Sequence, residues 1–372
     1  MKRLTVRIAG GSLAGLFAGI LLQQEGHDVK VYERSSSGLA GRGAGLVPQQ
    51  DLFEVLEQIG CEDVAQVGVV AKERIYLDAA GRIAQRLGMP QMQVSWDYLF
   101  ERVSARLAAG SYVLGKHVDK VHEDDDGATL TFADGTRERA DLVIGADGLG
   151  STIRGSLNRH PANLYSGYVA WRGLIAETRL PDEANVLLDR FTFYLSPGIH
   201  VLGYLVPGPH GETEKGQRRY NWVWYRPVSA DDLPRTFTGR DGRRFEYSLP
   251  RGELSTERKA ALYDDAFALL PPQLALAVRS EETPSIQGIF DYEAEQIASH
   301  HLALIGDAAF VARPHTAMGV SKAASDAMAL RDALRQTDDL SAALLRYQRA
   351  RLPVGKTTVA YGRRLAATAL GA

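Results

Sequence analysis

The feature that most constrains this chain is a glycine-rich turn between an apolar strand and a helix near the N-terminus. Residues 4–9 form a short apolar run that predicts a buried strand, and residues 13–24 have the pattern of a helix that ends at Gly26. The run 29–32 predicts the next strand. A strand, a helix and a strand in this order form a right-handed crossover, which requires a parallel sheet. The chain is therefore predicted to begin as an α/β fold.

The turn itself has the spacing of a phosphate-binding motif. Residues 10–15 read Gly-Gly-Ser-Leu-Ala-Gly, so Gly10 and Gly15 match G-x-G-x-x-G and Ser12 replaces its middle glycine. The free amides and the dipole at the start of the following helix attract a pyrophosphate. Glu33 ends the second strand, where an acid binds the hydroxyls of an adenosine ribose. These elements in this order predict a dinucleotide-binding site.

Composition argues against several other classes of protein. The 372 residues carry 43 Lys plus Arg and 45 Asp plus Glu, a net charge of −2, whereas binding to nucleic acid needs a basic surplus. The single cysteine, Cys61, cannot form an internal disulfide, so a cytoplasmic location is expected. The apolar stretch 13–22 is too short for a membrane span, and the polar residues 23–25 replace a signal-peptide cleavage site. We expect no nucleic-acid, membrane or metal partner.

The middle of the chain predicts a second kind of structure. Residues 112–132 have the pattern of a hairpin whose acidic tip, 123–126, is expected to be a solvated loop rather than a metal site. Short alternating aromatic segments at 191–194 and 220–225 predict an antiparallel sheet. Helices are expected from residue 317 to the end. The chain thus begins as α/β, makes an antiparallel excursion and returns to α/β.

Two further motifs follow predicted buried strands. One, residues 141–154, reads Asp-Leu-Val-Ile-Gly-Ala-Asp-Gly-Leu-Gly-Ser-Thr-Ile-Arg; the other, residues 306–327, begins Gly-Asp-Ala-Ala-Phe-Val-Ala-Arg-Pro-His and follows the strand 302–306. With the turn at 10–15, they resemble the three fingerprints of the group A FAD-dependent aromatic hydroxylases, the p-hydroxybenzoate hydroxylase-like family. The Gly-Gly-Ser turn and the Arg-Pro-His loop are most similar to its 2,6-dihydroxypyridine 3-hydroxylase branch. The resemblance covers nearly the whole chain, including Trp171-Arg172-Gly173, Tyr347, Arg351 and Pro353.

The resemblance implies a mixed α/β fold. It consists of a Rossmann-like FAD-binding domain, an inserted antiparallel-sheet substrate domain and a helical C-terminal tail. We place the FAD-binding domain in residues 1–160 and 285–340, with 70–100 contributing partly to the substrate domain, which occupies 161–284. Residues 341–372 form the C-terminal helical segment. The aromatic-rich antiparallel segment can then cover the flavin with apolar surface.

The resemblance also implies a reaction. FAD would be bound tightly but not covalently, and NAD(P)H would bind transiently, since the chain has no second dinucleotide fingerprint. In the family, NAD(P)H reduces the flavin, O₂ adds at C4a, and the resulting hydroperoxide transfers an oxygen atom to an electron-rich ring. The implied partners are therefore NAD(P)H, O₂ and a small phenol- or hydroxypyridine-like aromatic. The oligomeric state stays open between a monomer and a homodimer.

Residues of the three motifs are the candidates for holding FAD. The resemblance places Asp307 on the ribityl or ribose part, Asp147 near both FAD and the nicotinamide, and the helix start at 317–321 against the flavin N1–C2=O edge. Helix capping is an alternative role for the two aspartates. The full cofactor set is Gly10, Ser12, Leu13, Ala14, Gly15, Glu33, Arg34, Arg42, Gln49, Val118, Asp147, Asp307, Met318, Gly319 and Val320.

The chain departs from the family pattern at several positions. Phe310 stands where the family has a histidine, and Ser321 where it has an asparagine. Trp96, ahead of a helix predicted over 99–107, replaces an arginine near the pyrophosphate. Arg34 and Arg42 could supply the missing positive charge. These departures leave the individual FAD contacts open.

The antiparallel segment and the 313–318 loop supply the candidates for the substrate. His315 is the catalytic candidate, because a histidine can bind or deprotonate a ring hydroxyl and so raise the electron density of the ring; a loop histidine bonded to backbone is the alternative. Only some strand residues can face the pocket, since successive side chains alternate. The substrate candidates are Arg172, Tyr194, His200, Tyr204, Trp222, Pro314 and His315, with Tyr225 as a weaker addition.

Three other functions are compatible with parts of the sequence. A flavin-dependent halogenase would use a Trp-x-Trp motif, which Trp222 and Trp224 match superficially, but its lysine is not identifiable. A plain NAD-dependent dehydrogenase would leave the motif at Asp307 unexplained. A non-catalytic, sensory FAD-binding protein would hold the flavin without substrate-stimulated oxidation of NAD(P)H.

Overall fold

The computed structural model describes residues 2–41, 43 and 45–370, the last three as backbone only. The strands are β1 (Thr5–Ala9), β2 (Asp28–Glu33), β3 (Gly45–Leu46), β4 (Val69–Ala71), β5 (Glu73–Leu77), β6 (Ile83–Leu87), β7 (Gln91–Ser95), β8 (Tyr112–Leu114), β9 (Val118–Asp124), β10 (Gly127–Phe132), β11 (Arg137–Ala140), β12 (Leu142–Gly145), β13 (Leu164–Ala176), β14 (Arg190–Ser196), β15 (Ile199–Val206), β16 (Arg219–Pro227), β17 (Ser248–Leu249), β18 (Ser285–Glu293), β19 (Leu302–Leu304) and β20 (Phe310–Val311). The helices are α1 (Leu13–Gln24), α2 (Gln50–Gln58), α3 (Trp96–Ser104), α4 (Arg154–Leu157), α5 (Leu233–Thr236), α6 (Thr256–Leu269), α7 (Pro272–Arg279), α8 (Gly319–Arg335) and α9 (Leu340–Leu370).

A five-stranded parallel sheet forms the first layer, in the order β19-β12-β1-β2-β8. Its central strands are apolar throughout, and Val6, Ile8 and Ile144 are fully buried. Helices α1 and α8 pack against each other in the same core, which explains why α1 is apolar on almost every face. The three motifs follow the carboxyl ends of β1, β12 and β19, where a doubly wound sheet binds its ligands.

A nine-stranded, mostly antiparallel sheet forms the second layer, in the order β17-β18-β13-β16-β15-β14-β5-β6, with β20 paired to β18. Among the described residues, strands β14 and β5 are the one pair of this sheet that runs parallel. The side chains alternate between two faces. One face packs on α6 and α7 in a core that includes Trp222, Trp224 and Tyr194. The other face bears Tyr168, Tyr225 and His200 and carries the candidate site described below.

The long helix α9 fastens the two layers together. Tyr347 is fully buried and donates a hydrogen bond of 2.7 Å to the carbonyl of Leu304 at the end of β19. Further along, Arg363 donates to the carboxylates of Asp291 and Glu293 on β18. Among the described residues, no helix is both long and apolar enough to cross a bilayer.

The mixed α/β fold predicted from the sequence is confirmed, but three local predictions need correction. Strand β8 joins the parallel sheet, so the hairpin spans only β9 and β10 rather than all of 112–132. The helix predicted over 99–107 begins at Trp96, because the Ser95 hydroxyl accepts a hydrogen bond from the amide of Tyr98 and caps it. Helix α8 begins at Gly319 rather than at Ala317, whose left-handed backbone (φ 53°) lies outside the helix.

Candidate functional site

The turn after β1 can be built only from glycine at two of its positions. Gly10 has a φ of 106°, and a Cβ atom there would lie 2.2 Å from the carbonyl oxygen of Ala146. A Cβ atom on Gly15 would lie 2.0 Å from the carbonyl oxygen of Gly10. Because both obstacles are backbone atoms, neither can yield cheaply. The two glycines therefore bring β1, the start of α1 and the end of β12 into direct contact.

This close contact leaves a cavity of about 330 Å³ beside the turn. The buried carboxylate of Glu33 forms part of its wall and accepts hydrogen bonds from the amides of Gly11 (3.1 Å) and Ser35 (2.8 Å). The predicted cofactor residues that line the cavity are Gly10, Ser12, Glu33, Arg34, Val118 and Asp147. Leu13, Ala14 and Gly15 continue from this turn into α1. Trp96, which replaces the family arginine, also lines the cavity, whereas Arg42 lies outside the described residues.

The carboxylate of Asp147 stabilises the second motif, residues 141–154, by accepting hydrogen bonds from other residues of that motif. It accepts a hydrogen bond of 2.5 Å from the Ser151 hydroxyl and one of 2.8 Å from the amide of Thr152. Burial raises the pKa of Asp147, while these hydrogen bonds oppose the shift. The buried guanidinium of Arg154 then donates to the carbonyls of Ala308 (2.8 Å) and Asp307 (2.6 Å). The second motif thus holds the third in place.

Asp307 is joined to a buried lysine. Its half-exposed carboxylate lies 3.3 Å from the ammonium of Lys322, whose side chain is only 2% exposed. The same ammonium donates a hydrogen bond of 2.7 Å to the carbonyl of Phe310. An ammonium taken out of water needs such partners. Lys322 therefore fixes the position of the Asp307 carboxylate, a role that the sequence analysis missed.

A second buried charge pair supports the turn that carries Asp307. The carboxylate of Asp326, on α8, accepts hydrogen bonds from the amide of Gly306 (2.9 Å) and from Nε of Arg351 (2.7 Å). Arg351 belongs to the tail residues that carry the family resemblance. The long C-terminal helix therefore supports the turn that carries Asp307, through the carboxylate of Asp326.

Replacing Arg351 with methionine should destabilise the protein by about 3 kcal/mol, because the buried Asp326 carboxylate would lose its cation. Urea unfolding in saturating FAD measures the change. Arg349→Met is the matched control, since Arg349 is exposed on the same helix, and it should shift the free energy of unfolding by less than about 0.5 kcal/mol. Equal effects of the two variants would contradict this role for the pair.

The loop before α8 meets the segment that follows β3. The side-chain amide of Gln49 donates a hydrogen bond of 3.1 Å to the carbonyl of Ala317. Met318 precedes the helix, and the amides of Gly319 and Val320 lie in its first turn, where no intrahelical acceptor is available. These free amides lie at the positive end of the helix dipole, so they can stabilise negative charge on the edge of a bound ligand.

His315 lies where this loop reaches the second sheet. Its Nε2 is 3.0 Å from the hydroxyl of Tyr168, its ring is centred 4.4 Å from that of Tyr225, and it stacks on His200 at 5.4 Å. The hydroxyl of Tyr204, on the same face, donates to the carbonyl of Gly45. The second sheet therefore contacts both the loop that carries His315 and strand β3. We call the cluster of rings on this face, Tyr168, His200, Tyr204, Tyr225 and His315, the aromatic chamber.

Both histidines of the chamber are held in the neutral form. Burial lowers the pKa of His200 to about 4 and that of His315 to about 3, with the charge of Arg313 adding to the latter shift. Burial also raises the pKa of Tyr225 to about 12. At neutral pH the chamber thus contains uncharged imidazoles, each with one ring nitrogen that can accept a hydrogen bond.

Not every predicted substrate residue reaches the chamber. Arg172, His200 and Tyr204 share its face, and Pro314 begins the turn that carries His315. Tyr194 and Trp222 point to the opposite face and pack in the core against α6 and α7, because strand alternation places them there. Trp224 lies in that core as well, so the tryptophans of the halogenase-like motif do not line the chamber.

The departure at Phe310 has a packing explanation. Its ring is fully buried, and a Cβ atom on Gly355 of α9 would lie 2.1 Å from it. The aromatic ring and the glycine therefore fit each other, and the tail helix can approach β20 closely.

Comparisons with known proteins agree with this geometry. Residues 3–184 match the model of an FAD binding domain, and residues 165–291 match that of an FAD binding domain-like family. The chain is 29% identical over 355 residues to 2,6-dihydroxypyridine 3-monooxygenase of Paenarthrobacter nicotinovorans, covering 94% of this chain and 87% of that protein. It is 25% identical over 358 residues to 6-hydroxynicotinate 3-monooxygenase of Bordetella bronchiseptica, covering 92% and 86%.

Solved structures give the same result. The structure of 2,6-dihydroxypyridine-3-hydroxylase from Arthrobacter nicotinovorans superposes with a TM-score of 0.92 at 28% identity, covering 99% of this chain and 93% of that one. HpxO of Klebsiella pneumoniae, complexed with FAD and uric acid, shares the fold with a TM-score of 0.79 at 24% identity, covering 99% and 89%. We call the turn at Gly10–Gly15 together with the Glu33 carboxylate the glycine cradle. The fold and this cradle define a flavoprotein. The chain resembles the FAD-dependent aromatic hydroxylases over nearly its whole length, and it is a monooxygenase with FAD as its cofactor.

Proposed function

We propose that this protein uses NAD(P)H and O₂ to hydroxylate a small, electron-rich N-heteroaromatic ring of the hydroxypyridine kind. The observation that carries the proposal is the pairing of His315 with Tyr168 beside His200 in a chamber bordered by the loop that starts α8. Two relatives described above are named for related substrates, 2,6-dihydroxypyridine 3-monooxygenase and 6-hydroxynicotinate 3-monooxygenase.

FAD would be held at both ends by the residues of the three motifs. The cradle at Gly10–Gly15 and Glu33 suits the pyrophosphate and the adenosine ribose, because the turn offers amides and the acid offers acceptors. Asp307, oriented by Lys322, would bind hydroxyls of the ribityl chain. The bound flavin supplies oxygen activation after reduction by NAD(P)H. The first amides of α8 would stabilise negative charge at its N1–C2=O edge.

His315 would bind a ring hydroxyl and accept its proton. Its Nε2 is within hydrogen-bond distance of the Tyr168 hydroxyl. Burial alone lowers the pKa of His315 to about 3, and negative charge that develops on an adjacent ring oxygen would raise this pKa, because an opposite charge stabilises the protonated imidazole. Removing the proton raises electron density at the neighbouring ring carbon, where oxygen must be added. The aromatic side chains around it would exclude water from the reacting atoms.

The direct test is the oxidation of NADH and of NADPH by the purified holoprotein. Adding hydroxypyridines should raise the rate and yield a hydroxylated product, and comparing the two nicotinamides shows which one is used. A holoprotein that stays yellow but shows no response to any hydroxypyridine or phenol would favour a non-catalytic flavin-binding role.

Gel filtration of the same sample distinguishes a monomer from a homodimer.

The buried neutral histidines also predict how stability depends on pH. His200 has a pKa of about 4 in the folded protein and about 6.5 when unfolded, so the unfolded chain binds more protons between these values and stability falls as the pH drops below 6.5. His200→Gln should therefore reduce the loss of stability between pH 7.5 and 5.5 by about 1.4 kcal/mol. Urea unfolding in saturating FAD at both pH values measures this. An unchanged pH dependence would show that His200 is protonated normally.

A further inference from the structure

A second cavity, of about 360 Å³, lies where β14 begins, outside the candidate site. It is bounded by the junction of β4 and β5, the residues that precede β14 and the loop that joins β15 to β16. Arg74 and Phe191 point to the chamber face, since the guanidinium lies over the Phe191 ring and that ring packs on Tyr204 at 4.5 Å. Their neighbours Glu73 and Arg190 line the cavity. By strand alternation the cavity therefore opens on the opposite face of the sheet from the aromatic chamber.

The lining of this cavity carries a surplus of two positive charges. Four cationic side chains and two carboxylates form its charged wall. Each carboxylate is paired with an arginine, Glu73 with Arg190 at 2.8 Å and Asp189 with Arg218 at 2.8 Å. These pairs neutralise both guanidinium groups and fix their direction. The surplus is carried by the other two cations, which are lysines.

The two lysines, Lys72 and Lys215, keep hydrogen-bond donors for a ligand. The ammonium of Lys72 is 3.8 Å from the carboxylate of Asp189, too far for a hydrogen bond. Lys215 is exposed and forms no ion pair among the described residues. The side chain of Asn185 also lines the cavity and uses one of its two N–H groups on Asp182, at 3.4 Å. Donors from three separate segments thus border one space.

The segments that carry the lysines are held in place without a ligand. The buried carboxylate of Glu177 accepts a hydrogen bond of 2.8 Å from the amide of Gly216, next to Lys215. The carbonyl of Asp189 accepts one of 2.8 Å from the amide of Lys72, and Asp189 has a left-handed backbone with a φ of 56°. Such a backbone is uncommon outside glycine and persists where its surroundings fix it. The donors are therefore arranged in advance, which lowers the entropic cost of binding.

We infer that this cavity binds a phosphate ester, with its phosphate between Lys72 and Lys215. Ammonium groups bind phosphate as point charges, whereas a carboxylate is recognised best by a planar guanidinium, and both guanidinium groups here are engaged. The volume exceeds that of a phosphate group and falls in the range of small-molecule sites, about 300–1,000 Å³. Among the described residues Leu188 is the one apolar residue of the lining, so the rest of the ligand is polar, as a sugar is.

This inference does not depend on the proposed function. The cavity shares no lining residue with the FAD cavity, and none of the five rings of the aromatic chamber lines it. Failure to hydroxylate any aromatic ring would therefore overturn the proposed function and leave the phosphate site standing.

The test titrates the holoprotein with D-ribose 5-phosphate by isothermal titration calorimetry. FAD then fills the glycine cradle, so the ester cannot bind there. We expect D-ribose 5-phosphate to bind and D-ribose, which lacks the phosphate, not to bind. Combining Lys72→Gln with Lys215→Gln should weaken the binding by at least roughly 10-fold, because two charge-assisted hydrogen bonds are lost.

The matched control combines Lys120→Gln with Lys356→Gln. Both of these lysines are exposed and lie outside the cavity, and the pair changes the net charge equally. The control should change the affinity by less than about 2-fold. Equal weakening in the two double variants would show that only the net charge attracts the ester, and it would overturn the inference. Equal affinity for D-ribose, or no binding of the ester, would overturn it too.

A second arm identifies the source of the phosphate. The holoprotein is titrated with ADP-ribose and with ADP-ribose 2′-phosphate, the parts that NADH and NADPH contribute without nicotinamide. If the 2′-phosphate strengthens binding in the wild type and not in the variant at Lys72 and Lys215, the phosphate is that of NADPH. If the two lysines affect only D-ribose 5-phosphate, the ligand is a separate sugar phosphate. Either result supports the site, and independence of every phosphate ester from both lysines overturns it.

Discussion

Asp307→Ala should yield a folded protein that purifies nearly colourless. The substitution removes the carboxylate that we place on the ribityl hydroxyls. It leaves the buried ammonium of Lys322 with the Phe310 carbonyl as its one partner among the described residues. Hydrogen bonds to a charged group contribute about 1.5–3 kcal/mol each, so we expect the dissociation constant for FAD to rise by roughly 10- to 100-fold. Fluorescence quenching of FAD added to the apoprotein measures it.

Asp307→Asn separates the charge from the shape. The amide keeps an acceptor for the ribityl hydroxyls but no longer neutralises Lys322, so an intermediate affinity is expected. Glu57→Ala serves as the control, because Glu57 is exposed on α2. Full flavin occupancy in Asp307→Ala would exclude Asp307 from the FAD site.

His315→Ala should retain FAD and lose most of its hydroxylation rate. The imidazole lies in the aromatic chamber, not in the glycine cradle, so flavin binding should be nearly unchanged. Loss of a general base typically lowers the rate by 10²- to 10⁴-fold, and we expect a decrease of about 10² in kcat because Tyr168 remains beside the substrate. The rate of product formation at saturating substrate measures the loss.

Two variants refine this result. Tyr168→Phe removes the hydroxyl that faces His315 Nε2 and should reduce kcat less than His315→Ala does. His160→Ala, at an exposed histidine, should leave turnover unchanged. Normal turnover by His315→Ala with bound substrate would remove His315 from the reaction.

The sequence was most informative where local geometry allows few alternatives. The glycine spacing of the turn at 10–15 predicts its structure, since a Cβ atom on Gly10 or Gly15 would lie 2.2 Å or 2.0 Å from a backbone oxygen. The same holds for the strands that precede Asp147 and Asp307, whose continuous apolar runs predict burial on both faces.

The sequence was least informative where long-range contacts decide the outcome. Lys322 and Asp326 lie on one helix, but their partners Phe310 and Arg351 are determined by tertiary packing. The face to which each aromatic side chain points depends on the register of its strand, which the sequence alone does not determine. Tyr194 and Trp222 are therefore substrate candidates by sequence, although the structure places them in the core. The surplus of positive charge at Lys72 and Lys215 can be recognised only once their neighbours are known.

The most direct test of the central claim, that the glycine cradle and the aromatic chamber together form an aromatic hydroxylase, uses ¹⁸O₂. The holoprotein is supplied with NAD(P)H and a hydroxypyridine under ¹⁸O₂, and the product is analysed by mass spectrometry. We predict one labelled oxygen atom on the ring for each NAD(P)H consumed. Oxidation of NAD(P)H that releases only hydrogen peroxide with every hydroxypyridine and phenol offered, or a protein that binds no FAD, would contradict it.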